Sequence, residues 1–131
     1  MSNPFQQHGA FSWCELMTSD LEAAKQFYGS LFGWTLEDSP MEDMTYTVIK
    51  VEGKEVGGMM STSAPQVQGN PSPHWGTYVT VQNVDATAQQ AKELGAQLIL
   101  EPMDIPDVGR FAVLQDPQGA VLSIITYNAM V

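Results

Sequence analysis

The stretch DLEAAKQFYGSLFGW, residues 20–34, decides how the chain is read. Asp20, or Ser19 before it, can cap a helix, because a short side-chain oxygen accepts from the first unpaired backbone N–H groups. Leu21, Ala24, Phe27, Tyr28 and Leu31 recur on one helical face,. Gly33 offers the positive φ that often ends a helix. Upstream, FSWCEL (residues 11–16) alternates Phe11, Trp13 and Glu15 with Ser12, Cys14 and Leu16, the period of a strand,. Downstream, WTLED, TYTVIKV and EVGGMMS are predicted strands, with residues 52–54 as the turn between the last two,.

The same order returns further along. WGTYVTV (residues 75–81) is a predicted strand, and NVDATAQQAKELGA a helix capped by Asn83 or Asp85 and stopped at Gly95,. QLILE, RFAVLQ and AVLSIIT follow as strands, with DPQG (residues 116–119) as a turn that uses proline for its fixed φ and glycine for a positive one,. Residues 63–73, rich in Pro, Gly, Ser, Gln and Asn, have the composition of a linker,. The expected fold is α+β, a single domain in which a βαβββ module over 10–62 pairs with another over 74–127. Together they would form a curved mixed sheet with a concave cup and the helices on its outer face.

Composition narrows the partners. With 131 residues, 44% of them hydrophobic and 15% charged, the chain has the material for one core,. Five basic residues against 15 acidic ones give a formal net charge of −10, which repels phosphate backbones and anionic lipid,. Neither nucleic acid nor a membrane is an expected partner. No apolar run approaches the roughly 18 residues needed to span a bilayer. The single cysteine, Cys14, has no internal disulfide partner, so a cytoplasmic location is expected,.

The run FSWCELMTSDLEAAKQFYGSLFGW, taken with VGRFAVLQDPQGAVLSIIT in a second module, resembles the vicinal oxygen chelate superfamily over about residues 10–127. That group includes glyoxalase I, extradiol dioxygenases, fosfomycin-resistance enzymes and bleomycin-resistance proteins. The resemblance implies the fold and a small-molecule site in the cup, but not a reaction, because the fold hosts both enzymes and binders. Metal-dependent members draw ligands from the start of the first strand and the middle of the fourth in each module. Those places fall near Trp13 and Gly58, then near Gly76 and Ser123, where such relatives commonly hold Glu. An indole offers only an N–H, glycine offers nothing, and a serine hydroxyl is a weak donor beside a carboxylate. A shift of two residues keeps the strand face and brings in Glu15 and His74, two ligands where three or four are wanted. The resemblance thus implies no metal cofactor, with a divalent ion held through His74 and Glu15 as the alternative.

The candidate residues each carry a second reading. Glu15 shares a strand face with Phe11 and Trp13 and is expected to point into the cup, where burial raises a carboxyl's pKa and suits it to proton transfer or to a cationic or hydroxyl-bearing ligand. Its other reading is a carboxylate hydrogen-bonded to a neighbouring strand. Arg110, the only arginine, either fixes an anionic group in the cup or pairs with Asp107 or another acid, the commoner outcome,. Trp13, Met60, Tyr78, Thr80, Phe111 or Ala112, Ser123 and Ile125 complete a soft, aromatic lining suited to a flat or apolar molecule. The bland alternative is that they only fill space.

His74 follows the linker as a loop residue, and His8 lies in an arm (residues 1–9) that either covers a partner subunit or stays in solvent. Cys14 is expected to be buried as a small hydrophobe. The expected function is metal-independent binding of an aromatic or amphipathic small molecule by a homodimer. The alternative is a metal-dependent lyase or isomerase of the glyoxalase I or epimerase type, with Glu15 as the proton-transfer base.

Overall fold

Each helix opens where a short polar side chain closes its N-terminus. Asp20 accepts from the Ala23 N–H at 3.0 Å to start α1 (Leu21–Phe32), and Gly33, at φ 70, ends it. Asn83 accepts from the Ala86 N–H at 3.0 Å to start α2 (Val84–Glu93). Asp85 sits in the first turn of α2 rather than at the cap, where its charge meets the positive end of the helix dipole,. These elements are seen in a computed structural model that describes residues 3–41, 44–62, 72–105 and 107–128. Most of the expected linker, 63–71, lies outside the described residues.

The chain divides into two compact units, Trp13–Gly76 and the residues on either side of that span. The first carries β1 (Phe11–Thr18) from Trp13 onward, α1, β2 (Thr35–Met41), β3 (Met44–Val51) and β4 (Lys54–Ser61). Its strands lie in the order β2-β3-β4-β1, with β1 and β4 parallel and the other neighbours antiparallel. The second carries β5 (His74–Thr80) from Thr77 onward, α2, β6 (Gln97–Ile105), β7 (Gly109–Gln115) and β8 (Val121–Tyr127). Its order is β5-β8-β7-β6, with β5 and β8 parallel. The α+β fold and both βαβββ modules are as the sequence predicts. β2 and β6 extend beyond the predicted strands, and β6 slips register twice on β7 around Leu100.

In each unit one strand face meets the helix. Leu16, Ile49 and Met59 pack with Leu21, Ala24 and Tyr28 of α1 and with Trp34 and Leu36. Val81, Ala112, Leu114 and Ile124 pack with Val84 and Ala88 of α2. Two expectations fail here. Phe27 and Leu31 flank the apolar stripe of α1 and stay 60% and 57% exposed. Cys14 is exposed rather than buried. It points to the helix-facing side with Leu16, but its partner on β4 is Gly57, which has no side chain to pack against it. The hairpin β3–β4 turns through Glu52 (φ 50) and Gly53 (φ 81), two consecutive left-handed residues that match the twist of the strands,. None of the helices among the described residues is long and apolar enough to cross a membrane.

Candidate ligand-binding site

The strand face of the first unit turned away from α1 carries Trp13 and Glu15 on β1, Tyr46 and Val48 on β3, and Gly58 and Met60 on β4. This follows from the register, which sets Glu15 against Gly58, Val48 against Gly58 and Met17 against Met60,. A hydrogen-bonded chain runs across it. The Trp13 indole N–H donates to the Tyr46 hydroxyl at 2.8 Å, and that hydroxyl donates to Glu15 Oε2 at 2.7 Å. All three side chains are half-buried. The phenol needs the glycine, because a Cβ at residue 58 would collide with the Tyr46 hydroxyl and the ring carbon that bears it.

Sequence reasoning missed Tyr46. The signal for it was the Gly57–Gly58 pair within a strand, which marks a close approach by another group.

On the second unit, the face turned away from α2 holds Tyr78, Thr80, Phe111, Ser123 and Ile125. Tyr78 pairs with Ser123, Thr80 with Ile125, and Phe111 with Ile125. The Tyr78 and Phe111 rings lie 6.4 Å apart. Ala112 sits in the α2 core, so Phe111 is the residue of that pair on this face. Thr80 is fully buried, and its hydroxyl donates to the Pro4 carbonyl at 2.7 Å.

Arg110 is not part of this lining. It projects on the α2 side, where Nε and Nη2 donate to the two carboxylate oxygens of Asp85 at 2.8 and 3.0 Å and Nη1 donates to Asp104 at 3.1 Å. The guanidinium pKa is raised by Asp85 first and Asp104 second, and the Asp85 carboxyl is held below its usual value by Arg110. Its carboxylate partners are therefore Asp85 and Asp104, not Asp107. His74 is exposed, with Nδ1 donating to the Ser72 carbonyl at 2.6 Å, which leaves Nε2 as the acceptor nitrogen,. His8 is exposed too, but its Nδ1 accepts from the Gln82 N–H at 2.9 Å. Among the described residues no three His, Cys, Asp or Glu side chains converge. The positions to which the resemblance assigns metal ligands hold Trp13, Gly58, Gly76 and Ser123, none of them with a carboxylate or an imidazole,.

The sequence profile of the Glyoxalase/Bleomycin resistance protein/Dioxygenase superfamily matches residues 10–124. The chain belongs to that superfamily. Glyoxalase/bleomycin-resistance/dioxygenase relatives include the CFP32 protein of Mycobacterium tuberculosis (strain CDC 1551 / Oshkosh), provisionally named a glyoxylase. It is 45% identical over 120 residues, 89% of this chain and 44% of that protein. The anthracycline biosynthesis protein DauV of Streptomyces sp. (strain C5) is 35% identical over 117 residues, 89% of this chain and 41% of that one. This superfamily chain thus spans less than half the length of the curated relatives it matches. A methylmalonyl-CoA epimerase variant of Streptomyces coelicolor, solved with 2-nitronate-propionyl-CoA, shares the fold with a TM-score of 0.67 at 15% identity, covering 93% of this chain and 99% of that one.

Proposed function

We propose that this chain is a metal-independent small-molecule-binding protein that takes an aromatic or amphipathic ligand on the Trp13–Tyr46–Glu15 face. The observation that carries the reading is the Tyr46 hydroxyl, seated over Gly58 between the Trp13 indole and the Glu15 carboxylate. It supplies an aromatic plane and a hydrogen-bonding group on one strand face. An indole face suits a flat ring, and a carboxylate suits a hydroxyl or ammonium substituent. Relatives named for anthracycline biosynthesis support a fused-ring aromatic compound as the ligand class. We further propose a cytoplasmic homodimer, tested by light scattering on the eluting protein.

Calorimetric titration with daunorubicin, a fused-ring aromatic bearing a cationic sugar, tests the binding. Saturable binding that weakens about tenfold or more in Tyr46→Ala supports the reading, since a lost stacking and hydrogen-bonding partner costs at least that much. Binding unchanged in that variant rejects the site. Elemental analysis after incubation with divalent ions and dialysis tests the metal. Stoichiometric retention that is lost in His74→Ala would reverse the metal-free assignment.

A lyase or isomerase with Glu15 as base is the second reading, favoured by the glyoxylase name of the relatives at 45% identity. Glu15→Gln separates the two. A base should lose kcat by about a hundredfold or more, whereas a binding group loses only some affinity.

A further inference from the structure

The N-terminal segment packs on the second unit, and its chemistry resembles that of a bound ligand. Asn3 caps a short 3₁₀ turn, Pro4–Gln6, by accepting from the Phe5 N–H at 2.9 Å. The turn delivers two groups to the strand face turned away from α2. The Pro4 carbonyl accepts from the Thr80 hydroxyl at 2.7 Å, and the Phe5 ring meets Tyr127 edge-on with centroids 5.0 Å apart. Behind them the chain is pinned by the Gln82 N–H on His8 and by Thr80, whose carbonyl accepts from the Gly9 N–H and whose N–H donates to the Ala10 carbonyl.

Thr80 has no solvent exposure, so its hydroxyl needs an acceptor from whatever covers it. A buried hydroxyl without one is penalised. Its register neighbour Ile125 is 3% exposed and offers an apolar floor. The covering group is a peptide carbonyl whose amide N–H, that of Phe5, is already taken by Asn3, so that it meets Thr80 as an acceptor alone, and it is followed by a phenyl ring. Pro4 and Gln6 are exposed and Phe5 is only half-buried, so the turn belongs to the class of peripheral segments that open locally at low cost,.

We propose that Pro4 and Phe5 are a built-in occupant of a second ligand site, one that takes an aryl ketone when the turn lifts away. The ketone oxygen accepts from Thr80 and the ring packs against Tyr127 and Ile125. This site lies on a different unit from the Trp13–Tyr46–Glu15 face and does not depend on that face binding anything.

9-Fluorenone and fluorene, which differ by the carbonyl, are the probes. Their affinities are measured by calorimetry on the intact chain, on a chain lacking residues 1–7, and on Phe5→Ala, which weakens the occupant without shortening the chain and decides the matter if the truncated form fails to fold. Opening the site should tighten fluorenone binding about tenfold, because an intact chain is competent only in the fraction of molecules with the turn lifted. Fluorene, which leaves the Thr80 hydroxyl without an acceptor, should bind the opened chain about tenfold more weakly than fluorenone, and Thr80→Val placed in the opened chain should erase that difference. Equal fluorenone affinity for intact and opened chains, absence of binding to any form, equal affinity of fluorene and fluorenone for the opened chain, or a difference between them that survives Thr80→Val would each overturn the proposal.

Discussion

Gly58 lies opposite Glu15 on β1 and Val48 on β3, and its missing side chain gives the Tyr46 phenol its place. Gly58→Ala should therefore displace the ring and cost about 1–3 kcal/mol, the usual range for overpacking. Adding Tyr46→Ala should restore part of that loss, because the clash partner is then gone. Urea unfolding of the two variants checks both statements, and equal losses would show that the glycine serves the backbone instead. Little of this was legible in the sequence. Trp13 and Glu15 follow from the alternation within one strand, which places them on one face without reference to anything distant. Tyr46 joins them only through the β3–β4 register, which shifts between Ile49 and Lys50. No local pattern encodes that shift. Cys14 was misplaced for a related reason, since alternation gives a face but not the size of the neighbour across the strand.

Helices and strands were far more legible, because caps, stops and turns are local. Asp20 and Asn83 each satisfy a backbone N–H within three residues, so replacing either with Ala should cost about 1 kcal/mol in thermal or urea unfolding,. The tie between α1 and the strands beneath it is less visible in sequence. Lys25 of α1 donates to both oxygens of Asp38 on β2 at 3.0 Å, and the Thr47 hydroxyl on β3 donates to the same carboxylate at 2.8 Å. The Asp38 carboxyl is held below its usual pKa, chiefly by the hydrogen bond from Lys25 and then by Thr47. A depressed folded-state pKa gives stability that is present above the ordinary carboxylate value and is lost as pH falls through the folded one. The tie should thus weaken below about pH 4. Lys25→Met should flatten that part of the stability–pH curve while lowering stability at neutral pH by less than about 1 kcal/mol, since the carboxylate is half exposed.

At the scale of the whole molecule, the repeated order of elements made both modules readable, whereas the docking of residues 3–10 was not. Their partners Thr80, Gln82 and Tyr127 lie far along the chain. The charge balance was readable without any structure. A net charge of −10 repels itself in the folded state, so raising salt from about 0.02 M to about 0.5 M should screen that repulsion and lift the Tm by a few degrees,. A falling Tm would show that ion pairs such as Arg110–Asp85 dominate instead. The N-terminal turn also bears on order in time. Trp13–Gly76 leaves the ribosome with all its strands before the other unit is half made, and units of this kind fold as they emerge,. Residues 3–10 are synthesised ahead of Trp13–Gly76, yet they belong to the unit completed last. During translation the Thr80 hydroxyl and the Tyr127 ring therefore come into being after the segment that covers them, and the tether gives that segment a high effective concentration against any free compound,.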